Sequence, residues 1–373
     1  MYACGSRRVI SCNMVLDTLG DRDVYIAGYA RTPIGSFQGS LSSFPGTELG
    51  AFAIQAALQR SGVAPEQVEE VILGNVLSAN VGQAPARQAA LKAGIPNSVP
   101  CTTLNKVCSS GMKAVMLSAQ AIMSGSIDVA IAGGFESMSN TPYYLSKARS
   151  GYRMGHQEVV DGMIKDGLWD PYNDSHMGKS AELCAVDHKI SRKEQDDFAI
   201  SSYQRAQKAT EAGLFKEEIV PVSVPGRKPT DAPTIIEKDE DIYKVDFTKI
   251  PTLRPVFDKA GSVTAANASN LNDGAAALVL VSGSKAKELG LRVIAKIAGF
   301  ADAAREPERF TIAPALAIPK AIEKSGLRMS DIDYFEINEA FSVVSLANCK
   351  LLDLDLSKVN INGGKLFVEK FSD

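Results

Sequence analysis

The chain has 373 residues, 45% of them hydrophobic and 22% charged, enough apolar material for a sizeable core in two or more domains. Its 40 basic residues are offset by 43 acidic ones, for a net charge of -3; with no long run of one sign, the pattern of a nucleic-acid or anionic-membrane binder is missing. The longest purely apolar run, AAALVLV from Ala275 to Val281, falls far short of the roughly 18 residues needed to cross a bilayer.

The first residues, MYACGSRRVISCNM, carry Arg7 and Arg8 and no acidic residue, a faint organelle-presequence pattern. Met14 offers an alternative start. Cytosol is the expected compartment and mitochondrion the alternative. The six cysteines, Cys4, Cys12, Cys101, Cys108, Cys184 and Cys349, form no C-x-x-C pair, which favours a reducing environment.

Downstream, the strand-like run VYIAGY precedes the helix pattern ELGAFAIQAALQRSG; EVILGNV is followed by PARQAALKAG; and DVAIAGG, ALVLVSG, APALAIPKAIEKSG and DYFEIN continue the series. Alternation of this kind predicts an α/β fold layered around buried strands. Gly62, Gly94, Gly213 and Gly326 stand where left-handed helix caps are expected.

One internal repeat is visible. AIQAALQRSGVAPEQVEEVILGNV from Ala53 and AIPKAIEKSGLRMSDIDYFEINEA from Ala317 align without a gap. Each reads as helix, Ser-Gly cap, polar link and strand, so a duplication is the better reading of the two. Carried forward to Cys108, the same register puts its counterpart at the last residues of the chain, so the second half reads as unfinished.

Between the halves the alternation lapses. This region holds Trp169, the histidines His156, His176 and His188, and a helix over SRKEQDDFAISSYQRAQKATEAG, opened by a Ser191–Glu194 capping box. We read it as an inserted lobe. The resulting division is 22–141 with 262–286 for the first half, 142–261 for the lobe and 287–373 for the second half.

Cys108 lies just before a segment in which Met112, Val115, Met116, Ala119, Ile122 and Met123 recur at helical spacing. A thiolate is favoured at such a helix N-terminus, and Ser109, Ser110 and Gly111 permit a tight turn. A cysteine met alone is more often a small buried hydrophobe. The wider pattern decides against that here. RTPIGSFQGSLS, GQAPARQAAL, CTTLNKVCSSGMKA, AGGFESMSN, VTAANASNLNDGAAALVL and EINEAF occur in the order and approximate spacing of the thiolases, and the chain resembles the biosynthetic members of that family over nearly all its length after Val24.

The resemblance implies a thiolase fold: duplicated βαβαβαββ halves in a five-layered α/β/α/β/α arrangement, here with the second half truncated. It implies reversible Claisen condensation of two acetyl-CoA to acetoacetyl-CoA and CoA, with Cys108 as acyl-thioester nucleophile. Asn338 is similar to the family asparagine that holds an oxyanion-hole water, and His176 to the histidine beside the thioester. Leu168, Phe257 and Ser269 match the coenzyme A channel, and Phe341 a pocket wall. Tyr203, Lys244, Val245, Asp246 and Lys249 match contacts at the nucleotide end. No cofactor is implied beyond the coenzyme A thioesters and a potassium ion at Tyr203 with the carbonyls of Ala265, Ala266 and Ala268. A homodimer or homotetramer is implied, with no nucleic-acid or membrane partner.

The resemblance stops after VNINGG. Thiolases continue into a G-H-P loop and later a C-x-G motif, which supply the base for the nucleophile and move the α-proton; here KLFVEKFSD follows. The sequence reading therefore expects little condensing activity from this polypeptide alone. Its alternative is an impaired isoform that binds CoA or assembles with complete thiolase subunits.

Overall fold

In the computed structural model, which describes residues 18–364 except 227 and 229, the apolar runs become neighbours in one mixed sheet. The presequence pattern, Met14, Cys4, Cys12 and the KLFVEKFSD tail lie outside the described residues. The strands are β1 (Val24–Arg31), β2 (Gly35–Ser36), β3 (Glu70–Gly74), β4 (Cys101–Leu104), β5 (Val129–Ser137), β6 (Asn272–Ser282) and β7 (Ala295–Lys296). Their order is β7-β1-β6-β5-β3-β4, with β2 also pairing β6. β3 is parallel to β4 and β5, whereas β6 runs antiparallel to both β5 and β1.

Successive side chains of a strand point to opposite faces, and here both faces are covered. Val129, Ile131 and Phe135 of β5 join Val279 and Val281 of β6 in the main core, under Ile54 and Leu58 of α1 (Gly46–Ser61) and Ala86 and Ala90 of α2 (Pro85–Lys92). Ala130, Ala132 and Leu280 face the other way, onto Ala119 and Ile122 of α3 (Ser110–Met123). Two covered faces explain why these strands read as near-continuous apolar runs.

Small residues set how deeply α3 seats. A Cβ added at Gly74 would lie 2.6 Å from the Ser110 Cβ and 2.8 Å from the Gly111 nitrogen. The first turn of α3 thus rests on bare backbone at the end of β3.

Residues 142–261 contain α4 (Met177–His188), α5 (Arg192–Glu211) and three two-stranded ladders. The reciprocal Ser191–Glu194 capping box opens α5. Charge ties this region to the sheet. Arg31, buried at the end of β1, donates to Asp239 at 2.7 and 3.0 Å and to Glu218 at 2.7 Å, and Asp239 also accepts the Ile34 N–H at 2.7 Å. Removing one member of such a buried set costs about 3–5 kcal/mol, because its partner stays desolvated.

Past β6 come α6 (Gly283–Glu288), α7 (Pro314–Ser325) and α8 (Ser342–Leu352). The repeated units keep their register: α1 and α7 end on Gly62 and Gly326, each at φ 73°, and each leads into a 3-10 turn, Pro65–Gln67 and Met329–Asp331. They part at the strand. β3 has two strand neighbours, but within DYFEIN only Phe335 pairs among the described residues, in an isolated parallel bridge to Val359. The five-layered arrangement requires a second central sheet, and among the described residues no other sheet exceeds two strands. Side-chain bonds from Asn360 replace a strand ladder there. Among the described residues no helix is long and apolar enough to cross a membrane.

The seating of α3 is open to test. Gly74→Ala is expected to destabilise the protein by about 1–3 kcal/mol through overpacking. Gly134→Ala, whose added methyl meets nothing nearer than 3.2 Å, should cost less. Denaturant unfolding of both variants checks the order, and equal losses would contradict it.

Candidate active site

Residues 105–109 connect β4 to α3 and carry the candidate nucleophile. Val107 sits in the left-handed region at φ 51°, which a β-branched residue adopts only under constraint and at a cost of about 1–3 kcal/mol. Asn105 Oδ1 accepts the Val107 N–H at 2.8 Å. Ser110 Oγ accepts the Lys106 N–H at 2.8 Å and donates to the Val107 carbonyl at 2.6 Å, while Ser109 Oγ donates to the Lys106 carbonyl at 3.0 Å. These bonds leave Cys108 half-buried at the N-terminal end of α3, where backbone N–H groups and the helix dipole favour an anion. Asp302 braces the turn from the second half: it pairs with Lys106 and, at 2.6 Å, with Lys113.

Cys108 opens onto a chamber of about 1130 Å³, whose walls include Met112, Leu168, Met177, Phe300, Ile318 and Asn338. Asn338 belongs to the extended stretch before α8, and its Oδ1 is buried with no hydrogen-bond partner among the described residues. A buried polar atom left bare is costly unless something binds there. Two residues earlier, Glu336 also lines the chamber. Burial, reinforced by the Glu339 charge, pushes its carboxyl up to about 7. Among the described residues no histidine lines this chamber.

The wall beside the chamber is aromatic. His176 caps α4, its Nδ1 accepting the Gly178 N–H at 3.0 Å, so in the neutral ring Nε2 carries the proton. Burial lowers its pKa. The ring stacks on Phe257 at 4.7 Å, and Phe257 meets Phe341 edge-on at 6.2 Å. A side chain at Gly178 would strike Phe257, 2.3 Å from the added Cβ. Phe341 bridges to Ala268, the Ser269 N–H donates to the Ala340 carbonyl at 3.0 Å, and the Ser342 N–H donates to the Asn267 carbonyl at 2.8 Å. Those pairings stitch the 264–269 loop to the segment that carries Asn338.

The remaining expected residues lie elsewhere. Tyr203 is only 4% exposed, packed with Ile242, Val245 and Phe247, and its hydroxyl is pushed up to about 12, first by burial and then by the Asp241 charge. Its ring is thus largely covered by this chain's own side chains. Lys244 turns back to Ser36 Oγ at 2.6 Å and Glu240 at 2.8 Å. Asp246 and Lys249 are exposed and pair with each other at 3.2 Å. Burial raises the thiols of Cys101 and Cys184, and pushes that of Cys349 up to about 12.

Sequence reasoning missed Glu336, Glu339 and Asn360. A signal was available for Glu336, since in an extended EIN segment residues 336 and 338 share a side.

Comparison with known proteins places these features. The N-terminal domain pattern of thiolases matches residues 24–284, and the C-terminal domain pattern matches 291–368. The expectation of a truncated second half is therefore not supported. Acetyl-CoA acetyltransferase 2 of Arabidopsis thaliana is 62% identical over 349 residues, covering 93% of this chain and 86% of its own. The cytosolic acetyl-CoA acetyltransferase ERG10 of Gibberella zeae is 56% identical over 92% of this chain and 87% of its own. Among solved structures, the Bacillus anthracis acetyl-CoA acetyltransferase superposes with a TM-score of 0.89 at 43% identity, covering 92% of this chain and 86% of that one. The Acat5 thiolase of Ascaris suum in complex with coenzyme A gives 0.88 at 43% identity, covering 92% and 88%. With both of its domains matched and its fold shared, the chain belongs to the thiolase family.

Proposed function

We propose that this protein is an acetyl-CoA C-acetyltransferase, catalysing the reversible Claisen condensation of two acetyl-CoA to acetoacetyl-CoA and CoA. The observation that carries this is the convergence of Cys108, at a helix N-terminus, and Asn338, with its bare Oδ1, on one chamber. The Cys108 sulfur attacks the thioester carbonyl of the first acetyl-CoA and CoA leaves as its thiol. The second acetyl-CoA then loses an α-proton, and its carbanion attacks the acyl carbon. Acetoacetyl-CoA leaves and the Cys108 sulfur is freed again. Asn338 Oδ1 accepts from a water whose other hydrogen meets the enolate oxygen; a donor of this kind is worth about 10²–10³ in kcat. His176 offers its Nε2–H on the thioester side.

Leu168, Phe257 and Ser269 border the pantetheine arm in this reading, and Tyr203, Val245, Asp246 and Lys249 the nucleotide end, with Lys244 shaping the loop behind them. The support is the likeness to a thiolase solved with coenzyme A. A potassium ion fits the loop above Tyr203: the carbonyls of Ala265, Ala266 and Ala268 accept no hydrogen bond among the described residues, and carbonyl oxygens suit a hard cation. We assign the protein to the cytosol as a homodimer or homotetramer, on family likeness and the cytosolic relative.

A second reading, an isoform that binds CoA or joins complete thiolase subunits without turning over alone, is favoured by one observation. No histidine lines the chamber among the described residues, leaving the proton acceptor for the condensing step unassigned.

Thiolysis of acetoacetyl-CoA by the purified chain decides between them. Turnover that disappears in Cys108→Ala is the expected result. A folded chain that binds CoA without turnover would sink the first reading in favour of the second.

A second prediction concerns pH. The pKa of His176 is lowered in the folded protein, so the stability it supports is present above the ordinary histidine value of about 6.5 and is lost as pH falls through the folded pKa. Protonation also removes the Nδ1 acceptor that caps α4. His176→Asn keeps a cap acceptor without the titration. Between pH 7 and pH 5 the wild type should lose more stability than this variant, by up to the value of a cap, about 0.5–2 kcal/mol. Parallel melting curves would contradict the assignment.

A further inference from the structure

We infer that Asn360 is a positioning residue for Asn338: one buried side-chain amide fixes the backbone on one side of Asn338 and the side chain on the other. Asn360 is 1% exposed and sits at φ 47°. Its Oδ1 accepts the Ile337 N–H at 2.8 Å, and its Nδ2 donates to the Ile337 carbonyl at 2.9 Å and to Glu339 Oε1 at 2.6 Å. Its own N–H donates to the Phe335 carbonyl at 2.9 Å. Asn338 is therefore flanked by two residues held by the same amide.

The anchor is itself anchored. Glu339, fully buried, takes the Ser202 hydroxyl at 2.7 Å on its other oxygen, and Ser202 Oγ accepts the Gly364 N–H at 3.2 Å. Arg205 donates to the Val359 carbonyl at 2.7 Å and the Asn360 carbonyl at 3.3 Å. Gly363 lies at φ 82°, and a Cβ there would come 2.4 Å from the Ser202 carbonyl oxygen. Residues 359–364 are thus pressed onto α5, and the Asn360 side chain carries that rigidity to the chamber wall. In β3, the matching stretch of the first repeat, strand neighbours do this work; at 335–339 there is a single bridge among the described residues. An oxyanion-hole group is effective only when held before reaction, and the Asn360 amide is what holds this one.

The inference rests on the acyl-transfer reading of Asn338, and its test separates the two. Asn360→Gly preserves the left-handed backbone and deletes the amide; Asn360→Asp keeps the size and the Ile337 N–H acceptor, and serves if the glycine variant does not fold. Amide hydrogen exchange should quicken across residues 335–340 and stay unchanged in α3; unchanged exchange at 335–340 overturns the inference whether or not the chain turns over. In thiolysis, Asn360→Gly should lower kcat by about ten- to a hundredfold with KM little moved. The double variant with Asn338→Ala should be no slower than Asn338→Ala alone, because one acts through the other. Multiplying losses overturn the inference even with turnover intact. No Cys108-dependent turnover in the wild type instead defeats the functional reading and leaves the exchange result to decide the positioning.

Discussion

The site depends on how closely the first turn of α3 rests on the sheet. At Gly74 there is no room for a methyl group beneath Ser110 and Gly111, and Ala130, Ala132 and Gly134 keep the same face of β5 low. A helix seated this deeply brings its N-terminus over the ends of β3 and β5. The connecting turn must then climb sharply from β4, and Val107 takes the left-handed conformation that makes the climb possible. Packing in the core and strain at the turn are two consequences of one constraint, and together they deliver Cys108 to the chamber.

The opposite wall is assembled by different means. Among the described residues no ladder holds 335–341; their order comes from the Asn360 amide on one flank and from main-chain pairing with residues 267–269 on the other. Buried polar networks are valuable when fully satisfied and costly when broken. Among the described residues, Asn338 Oδ1 is the unpartnered buried side-chain atom whose residue lines the chamber, and it therefore stands out as a place kept for a ligand. Electrostatics complete the frame, with Asp302, from the 295–303 stretch that also lines the chamber, tying Lys106 and Lys113.

Much of this was legible in the sequence because periodicity and cap chemistry are local. The apolar runs that became β1, β3, β5 and β6, the glycine caps at Gly62 and Gly326, and the Ser191–Glu194 box each depend on a few neighbouring residues. Cys108 was legible as a helix-start residue for the same reason. DYFEIN was not: its apolar pattern matches β3, but strand formation needs neighbours, and among the described residues only Val359 pairs with it. The burial of Tyr203 against Ile242 and Phe247 was not legible because it is a tertiary fact. Asn360 was passed over because nothing about an asparagine between Val359 and Ile361 reveals which distant backbone it will clamp.

The claim at the centre of this account is that the α3 turn makes Cys108 the acyl carrier, and mapping the acetyl group tests it most directly. The protein would be incubated with acetyl-CoA, quenched in acid, digested and read by mass spectrometry. The account predicts one acetyl group on Cys108, with Cys101, Cys184 and Cys349 unmodified, since Cys184 and Cys349 are buried and burial raises all three thiols. Acetyl spread over several cysteines, or absent from Cys108 in a folded protein, would contradict it.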